Sequence, residues 1–385
     1  MRLISLKFED PQASWELEET VFFSDLTLLV GLSGVGKTRI LDTIIRLKRI
    51  VKGNPSSDDW GTSWKIQFEQ EEHTYDWSGK FEEPDDGLAP RPIPSPFSDM
   101  QEERQQKPKI ILETLKQDGR VIASREGEII KLSGEKTPKL SQEESIVHIL
   151  RREDGISDAY RGMKAILPVD HSESHSAFSI YSGLNLDALL RDLTTIEKIR
   201  SEDIPTKLKL ALVYKNCPEI FSDIINQFRD AFPYVEDVKV DLVEVGGPFG
   251  KTSRITLQEA GVDKPIPEES ISSGMMRTLM HLSRMWLWPD GTVVLIDEFE
   301  NSFGINCMDF VTHDLLVQSN RMQFILTSHH PYIINNVDMK NWKIVSRNGR
   351  KVSVQDSSLL NGTSRHEAFL QLLNLPEYAD GITGG

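Results

Sequence analysis

The segment GLSGVGKT, residues 31–38, carries the residue types and the spacing of a phosphate-binding loop. Its glycines would let backbone N–H groups surround phosphate oxygens, Lys37 would neutralise the β and γ oxygens during binding and catalysis, and Thr38 would hold Mg²⁺. The apolar segment DLTLLVG before the loop predicts a strand, and TRILDTIIRLKRIV after it predicts a helix whose first turn favours anions. The sequence therefore predicts a site for ATP and Mg²⁺ whose binding residues are Gly31, Ser33, Gly34, Gly36, Lys37 and Thr38.

Two carboxylates, Asp297 and Glu298, follow the apolar segment TVVLI. A P-loop ATPase needs an acid at the end of a buried strand to complete the Mg²⁺ shell, and Asp297 fits that role beside Thr38. Glu298 would then orient and polarise the attacking water. Adjacent acids after a strand can also be a simple surface ending, but a phosphate-binding loop precedes them and the strand is apolar on both faces. We predict Asp297 as a metal ligand and Glu298 as a catalytic residue.

A second apolar segment, QFILT, is followed by Ser328, His329 and His330. A histidine at this strand end can donate to the γ-phosphate and to the attacking water, and we assign this catalytic role to His329. A metal site formed by both histidines is the alternative, but adjacent side chains diverge and no third ligand is evident. His330 is then expected to pack or to cap a helix.

The triplet Ser272-Ser273-Gly274 stands directly before an apolar run and admits two interpretations. Serine at a helix N-terminus commonly caps the free N–H groups of the first turn. The same hydroxyl, N–H groups and positive end of the helix dipole would also suit a phosphate held by another subunit. The triplet by itself does not distinguish a cap from a phosphate contact.

The elements that position these motifs predict an α/β fold with a mixed β core. WKIQFEQEEHTYDW and KIILETLKQDGRVIASREGEIIKL predict the hairpins of an antiparallel β lobe, and the proline-rich segment between them, residues 81–109, predicts an extended surface insertion. A run of helical patterns follows. We divide the chain into an N-terminal ATPase lobe (1–140), an inserted helical lobe (141–234), a C-terminal ATPase lobe (235–345) and a tail (346–385).

Composition narrows the classes of protein and of partner. The 385 residues carry a net charge of −15, which argues against broad non-specific binding to nucleic acid. One basic cluster, within residues 39–52, is either a solvated helix face or a DNA contact. Only two cysteines occur, and no apolar stretch approaches the ~20 residues of a membrane span. We expect a reduced, cytoplasmic protein without membrane contact. Nucleic acid stays open as a partner, but the net charge does not support it.

The order of the motifs resembles that of ABC-type ATPase heads: P-loop, then Ser272–Gly274, then Asp297–Glu298, then His329. The chain is similar to the SMC/RecF branch and, more closely, to the OLD-like AAA ATPases of bacterial anti-phage systems, such as the Septu ATPase subunit and retron-associated ATPases. IDEFEN and TSHHPYIIN look like that group's Walker B and histidine-switch motifs. The resemblance covers residues 1–50 and 235–345 and implies an ABC-type P-loop ATPase head.

The resemblance also implies a homodimer that sandwiches ATP, with Ser272–Gly274 of one chain at the γ-phosphate bound by the other. ISSGM departs from the Leu-Ser-Gly-Gly-Gln of the family, because Met275 lacks the polar side chain found there. The family's metal-binding glutamine loop is expected at Gln142, and its D-loop at Asn301–Gly304.

Three functions are compatible with such an ATPase. The first is a switch or sensor subunit of an anti-phage complex that controls a separate effector such as a nuclease, and the second is a RecF/SMC-like DNA repair or DNA-structure ATPase. The third, a nuclease with a fused Toprim domain, is disfavoured because no two aspartates are separated by one residue, as its metal site requires, and few residues follow His330. The second lacks the sustained heptads of coiled-coil arms, although a compact clamp stays open. The resemblance favours the first.

Overall fold

The computed structural model describes residues 1–84, 107–169, 191–244, 251–301 and 303–357. The chain divides into two compact units, each assembled from separate stretches of sequence. Unit 1 comprises Met1–Pro168, Gly291–Glu298 and Gln323–Gly385, and unit 2 comprises Val169–Asp290 and Phe299–Met322. Most of the predicted insertion, residues 170–190 of the predicted helical lobe and residues 358–385 of the predicted tail lie outside the described residues.

The described ranges contain both strands and helices, numbered in chain order. The strands are Arg2–Asp10 (β1), Trp15–Leu17 (β2), Val21–Phe22 (β3), Leu26–Val30 (β4), Ser63–Gln70 (β5), His73–Phe81 (β6), Ile110–Gln117 (β7), Arg120–Glu126 (β8), Ile129–Leu132 (β9), Glu135–Lys136 (β10), Ile166–Pro168 (β11), Val235–Glu244 (β12), Lys251–Glu259 (β13), Ile266–Pro267 (β14), Val293–Ile296 (β15), Gln323–Thr327 (β16), Trp342–Asn348 (β17) and Lys351–Asp356 (β18). The α-helices are Lys37–Val51 (α1), Ile146–Ile149 (α2), Ile156–Lys164 (α3), Ile196–Ser201 (α4), Thr206–Asn216 (α5), Pro218–Ala231 (α6), Ser273–Leu287 (α7), Ile305–Gln318 (α8) and Pro331–Asn336 (α9). Across the ranges that the structure covers, none of the helices combines the length and the apolar character needed to cross a membrane.

Unit 1 is built on one mixed sheet whose strands β17, β4, β16, β15 and β11 are neighbours in that order and run parallel. Every residue of β4, β15 and β16 is buried, as expected for strands covered on both faces. The carboxyl ends of parallel strands meet at one edge of a sheet. The sheet therefore brings the glycine-rich loop after β4, the acids after β15 and the histidines after β16 to the same edge.

The other half of the sheet is antiparallel and runs in the order β10, β9, β8, β7, β6, β5, β1. Side chains alternate across it, so that Trp64, Ile66 and Phe68 of β5 are buried while Lys65 is exposed. The buried face shares a core with the apolar sides of α1 and α3. This arrangement confirms the predicted antiparallel β lobe.

Unit 2 combines helices α4–α8 with a three-stranded antiparallel sheet, in which β13 lies between β12 and β14. Helix α7 is almost entirely enclosed, since its residues from Met275 to Met285 are buried. Leu208 of α5, Phe228 of α6 and Met280 of α7 belong to one core cluster. Burial of α7 leaves its N-terminal Ser272–Gly274 as the accessible end of the helix, because both serines are exposed.

Candidate nucleotide site

The glycine-rich loop adopts a conformation that its glycines permit. A Cβ on Gly31 would stand 2.4 Å from the backbone oxygen of Val345, and Gly36 has φ 108°, in the region that favours glycine. Gly36 precedes α1, whose first turn contains no acidic residue and whose N-terminal N–H groups have no capping side chain. This helix end can therefore receive an anion.

Lys37 is buried beneath the loop, with 5% of its surface exposed. Its ammonium donates to the carbonyl oxygens of Gly31 at 2.8 Å and Leu32 at 2.7 Å. These contacts fold the lysine across the loop that is predicted to hold the phosphates. The structure thus places Lys37 where that prediction requires, while its role stays a prediction.

Three oxygen-bearing side chains converge beside the loop. The Thr38 hydroxyl donates to Asp297, with distances of 3.1 Å to Oδ1 and 3.0 Å to Oδ2. The Thr327 hydroxyl donates to Asp297 Oδ1 at 2.7 Å. Hydroxyl and carboxylate oxygens are the ligands that Mg²⁺ prefers, so the Thr38–Asp297 pair fits this ion.

The electrostatics at this edge also favour a cation. The pKa of Asp42, one turn along α1 from Thr38, is raised by desolvation and by the negative charge of Asp297. Two neighbouring carboxylates repel one another, and a divalent ion between them and a phosphate would relieve that repulsion.

Glu298 has an unusual backbone. Its φ is 47°, in the left-handed region that residues with a Cβ rarely adopt. Its N–H donates to the Thr327 hydroxyl at 2.7 Å, which holds this conformation, and its side chain is exposed. Backbone strain of this kind concentrates at functional sites. The observation supports the catalytic role predicted for Glu298.

The two histidines after β16 differ in their surroundings. His330 accepts the N–H of Tyr332 on Nδ1 at 3.2 Å and so caps α9, and its own N–H donates to Ser328 Oγ at 3.1 Å. The expectation that His330 packs or caps is confirmed. His329 is half-buried at the edge where the loop and the acids lie, and its catalytic role stays a prediction.

Ser272 caps α7, because its Oγ accepts the N–H of Met275 at 3.3 Å. The cap uses one acceptor position and leaves the hydroxyl proton available. Beside the triplet lies a cavity of about 470 Å³, lined on its other sides by Phe232, Tyr234, Phe303, Gly304 and Cys307. The capping interpretation is therefore correct as geometry, and it remains compatible with a phosphate contact from the same exposed hydroxyl.

Gln142 lies in the segment between β10 and α2, beside the antiparallel half of the sheet in unit 1. Its backbone oxygen accepts from the N–H of Ile110 at 2.8 Å and from Arg125 at 2.9 Å. The strand beside β15 is instead β11, which ends at Pro168. Residues 170–190, which follow β11, lie outside the described residues, and the assignment of Gln142 as a metal ligand stays a prediction.

The basic cluster of α1 is engaged within the protein. Arg46 donates to Asp59 at 2.5 Å and to Asp10 at 2.7 Å, and Arg49 donates to Asp59 at 2.8 Å. Asp59 is fully buried, and Lys48 donates to the carbonyl of Ile166. Arg46 and Arg49 are therefore held by carboxylates inside the protein, whereas Arg39 and Lys52 of the same cluster are exposed, and for these two the solvated face and the DNA contact both stay predictions.

Sequence reasoning missed two residues of the site. Thr327 contacts both acids, but a single hydroxyl at a strand end has no distinctive spacing. Trp15 borders a cavity of about 170 Å³ together with Arg39 and Asp42, and a Cβ on Gly36 would approach its indole Nε1 within 3.4 Å. That buried N–H has no hydrogen-bond partner in the described part of the chain.

The comparison with protein families identifies the class of protein. The model described as "AAA domain, putative AbiEii toxin, Type IV TA system" matches residues 26–335. This range includes the loop, the acids and the histidines, and the chain belongs to that AAA-domain family. No curated protein matches the chain.

Solved structures of SMC heads are similar in fold. The SmcHead bound to the C-winged helix domain of ScpA has a TM-score of 0.53 and 14% identity, with 92% of this chain and 97% of that chain covered. The SMC head domain from Thermotoga maritima has a TM-score of 0.44 and 12% identity, with 92% and 99% covered. The fold is that of an SMC-type, ABC-class P-loop ATPase head, and the predicted fold class is confirmed.

Proposed function

We propose that this chain is an ATP-binding and ATP-hydrolysing switch or sensor subunit that dimerises around ATP and controls a separate effector, such as a nuclease, in an anti-phage complex. The contact between Thr38 and Asp297 carries the ATPase part of this proposal. It joins the helix after the phosphate-binding loop to the end of a neighbouring buried strand. The charge and ligand types at that point fit Mg²⁺ bound to a nucleotide.

Each residue around this contact would have its own role in binding or hydrolysing ATP. Lys37 and the N–H groups at the start of α1 would bind the phosphates, and Thr38 and Asp297 would hold the metal. Bound Mg²⁺ would neutralise phosphate charge as it develops in the reaction. Glu298 would orient a water and accept its proton, while His329 would donate a hydrogen bond to the γ-phosphate.

The exposed N-terminus of α7 supports the dimer. Ser272 and Ser273 are exposed at the start of a 15-residue helix, where the helix dipole favours negative charge. A second copy of the chain would present this triplet to the γ-phosphate bound by the first. The resemblance of the motif order to ABC-type heads supports this arrangement.

The biological role rests on the resemblance to OLD-like ATPases of anti-phage systems. The family's description as part of a toxin–antitoxin system, which has two components, agrees with a switch acting on a separate partner. The two free cysteines, Cys217 and Cys307, agree with a reducing cytoplasm. The alternative function is that of a RecF/SMC-like DNA-structure ATPase. The fold shared with the SmcHead supports this alternative. Co-purification from the native locus would decide: a bound effector supports the switch, and its absence together with DNA-stimulated hydrolysis supports the alternative.

Two substitutions test the ATPase assignment. Lys37→Ala should abolish nucleotide binding, because the β and γ charges lose their main cation. Glu298→Gln should retain binding and lower turnover by about 10²- to 10³-fold, since only the activation of water is removed. Binding of a fluorescent nucleotide and release of phosphate measure the two effects. The exposed residues Lys52 and Glu19 provide matched controls, as Lys52→Ala and Glu19→Gln. Turnover of Glu298→Gln at the wild-type rate would refute the assignment of the base.

A further inference from the structure

The outer face of the antiparallel sheet in unit 1 carries a continuous row of lysine and hydroxyl side chains. Strand register places Lys7 opposite Lys65 at one end and Lys131 opposite Lys136 at the other. Between these pairs the register continues through Ser78, Thr114 and Ser124. Residues directly opposite one another in antiparallel strands share a face, so these side chains form one row, which we call the lysine–hydroxyl row.

The row points away from the core. In β5 the residues on both sides of Lys65, Trp64 and Ile66, are buried, and in β9 the neighbour of Lys131, Ile130, is buried. Lys65, Lys131 and Lys136 are exposed, while Lys7 and the three hydroxyl residues are half-buried. Seven strands at 4.7–4.9 Å spacing make the row about 29 Å long.

The lysines of the row are available to an external anion. The row contains no carboxylate, and in the described part of the chain the side chains of Lys65, Lys131 and Lys136 take part in no ion pair or hydrogen bond. Lys7 donates to the carbonyl oxygen of Glu18, a contact that leaves its charge uncompensated. Four positive charges thus stand in one line on a chain whose net charge is −15.

Of the two neighbouring rows, one is mildly acidic and the other is neutral. The first contains Lys80 and Leu112 between Glu9 and Glu126, and its Lys80 is paired with Glu83 at 3.0 Å. The second contains Asp76 opposite Lys116, whose charges balance. Charges beyond the Debye length of about 8 Å at physiological ionic strength contribute little to the local field. The acidic remainder of the chain therefore does not cancel the potential of the row.

We propose that the lysine–hydroxyl row binds the sugar–phosphate backbone of a nucleic acid. Lysine ammonium groups and serine or threonine hydroxyls are the groups that contact phosphate oxygens without reading sequence. A row of about 29 Å matches about eight base-pair steps of 3.4 Å each. The proposal is independent of ATP hydrolysis, since no residue of the row belongs to the candidate nucleotide site.

The salt dependence of binding tests this proposal. Fluorescence anisotropy would measure binding of the full chain, without nucleotide, to a labelled single strand and to a labelled duplex of 30 positions. Four phosphate contacts predict slopes of log K against log salt of about −2.8 for the single strand and −3.6 for the duplex. Affinity should therefore fall about 50- to 150-fold between 50 and 200 mM salt.

The decisive variant is Lys65→Gln/Lys131→Gln, which removes one lysine from each end of the row. With two contacts left, affinity should fall only about 7- to 12-fold over the same salt range and should be weaker at 50 mM. Lys164→Gln/Lys264→Gln removes the same charge from exposed positions outside the row and should behave as the wild type. All four side chains are exposed, so thermal unfolding should show that both variants fold.

Three outcomes would overturn the proposal. The first is the absence of binding to either probe at 50 mM salt, and the second is an equal loss in the control variant. The third is binding to phosphatidylserine vesicles that depends on Lys65 and Lys131 while nucleic-acid binding does not, because the exposed Leu112 and Ile129 flank the row and suit a membrane surface. The proposal is supported if the control variant binds as the wild type does and the row variant shows a reduced dependence of affinity on salt. Either the single strand or the duplex can be the probe that shows this.

Discussion

Thr327 links the two acids of the candidate site through one hydroxyl. Its proton is directed at Asp297 and its oxygen accepts the N–H of Glu298, both at 2.7 Å. A hydroxyl that donates and accepts in this way fixes the carboxylate of one acid and the backbone of the other. Thr327 is thus a positioning residue, because it acts on the site through its neighbours.

Thr327→Val should lower turnover about 10- to 100-fold, which is typical of the loss of a group that orients a metal ligand. Valine preserves the shape but provides no hydroxyl, whereas Thr327→Ser keeps the hydroxyl and should restore most of the activity. The dependence of turnover on Mg²⁺ concentration separates this role from a merely structural one, since only a displaced Asp297 raises the Mg²⁺ requirement. An unchanged requirement in Thr327→Val would contradict the positioning role.

Individual site residues were predictable where their chemistry needs a fixed spacing. The loop from Gly31 to Thr38 and the pair Asp297–Glu298 are such cases, since each follows an apolar strand. Thr327 and Trp15 were not predictable, because they join the site through strand pairing rather than through spacing.

At the scale of elements, cationic side chains of unit 2 donate hydrogen bonds to carbonyl groups at the C-terminal end of α7. Arg200 Nε donates to the carbonyl of Trp286 at 2.8 Å, and Arg321 Nη1 donates to that of Trp288 at 3.0 Å. Lys209 contributes from α5, with its ammonium 2.8 Å from the carbonyl of Arg200 and 3.4 Å from that of Leu287. Positive charge at this end complements the helix dipole. The arrangement holds the helix whose other end presents Ser272.

Lys209 should make stability depend on pH. Burial lowers its pKa to about 8, with a smaller opposing effect of Asp203 and Glu202. Between this value and the ordinary 10.5, the unfolded chain holds a proton that the folded chain has released, so this group's contribution to stability rises with pH. The free energy of unfolding of the wild type, relative to that of Lys209→Met, should increase by about 1 kcal/mol from pH 7 to pH 9.

Urea unfolding at both pH values would measure this difference, and comparison with the variant removes the contributions of other titrating groups. Lys264→Met, at an exposed position, is the control and should show no such change. A constant difference between wild type and Lys209→Met would contradict the lowered pKa.

Helix α1 shows why a pattern of charge does not define a surface. Its basic residues are spaced as on a solvated face, yet Arg46 and Arg49 converge on the fully buried Asp59. The lysine–hydroxyl row shows the opposite case. Its members lie on seven strands scattered from Lys7 to Lys136, and only the strand register aligns them.

At the scale of the whole molecule, the two units are assembled from segments that alternate along the chain. The acids belong to unit 1 and the residues immediately after them to unit 2, which makes the stretch after Glu298 a direct covalent link between the nucleotide edge and the unit that carries Ser272. The division into consecutive ranges that the sequence suggested stays a prediction. The mixed sheet and the antiparallel lobe were predictable, because both depend on local alternation and apolar runs.

We propose that Ser272 of one chain completes the nucleotide site of another, and complementation between two defective chains tests this claim. A Ser272→Arg chain keeps its own Lys37 but presents a blocked triplet, whereas a Lys37→Ala chain has an intact triplet but no phosphate-binding lysine. Neither variant alone can form a complete site, but a mixed dimer contains one. Native mass spectrometry of differently tagged chains would count homodimers and heterodimers with and without ATP.

We expect that ATP produces heterodimers in the mixture and that neither variant dimerises by itself. A serine that only caps α7 predicts a different result, because its loss would cost about 1 kcal/mol of local stability and leave pairing intact. The milder Ser272→Ala separates the two directly. ATP-driven dimerisation and hydrolysis at wild-type levels in Ser272→Ala would contradict the claim, while their loss in a folded protein, together with heterodimers in the mixture, is the result that it predicts.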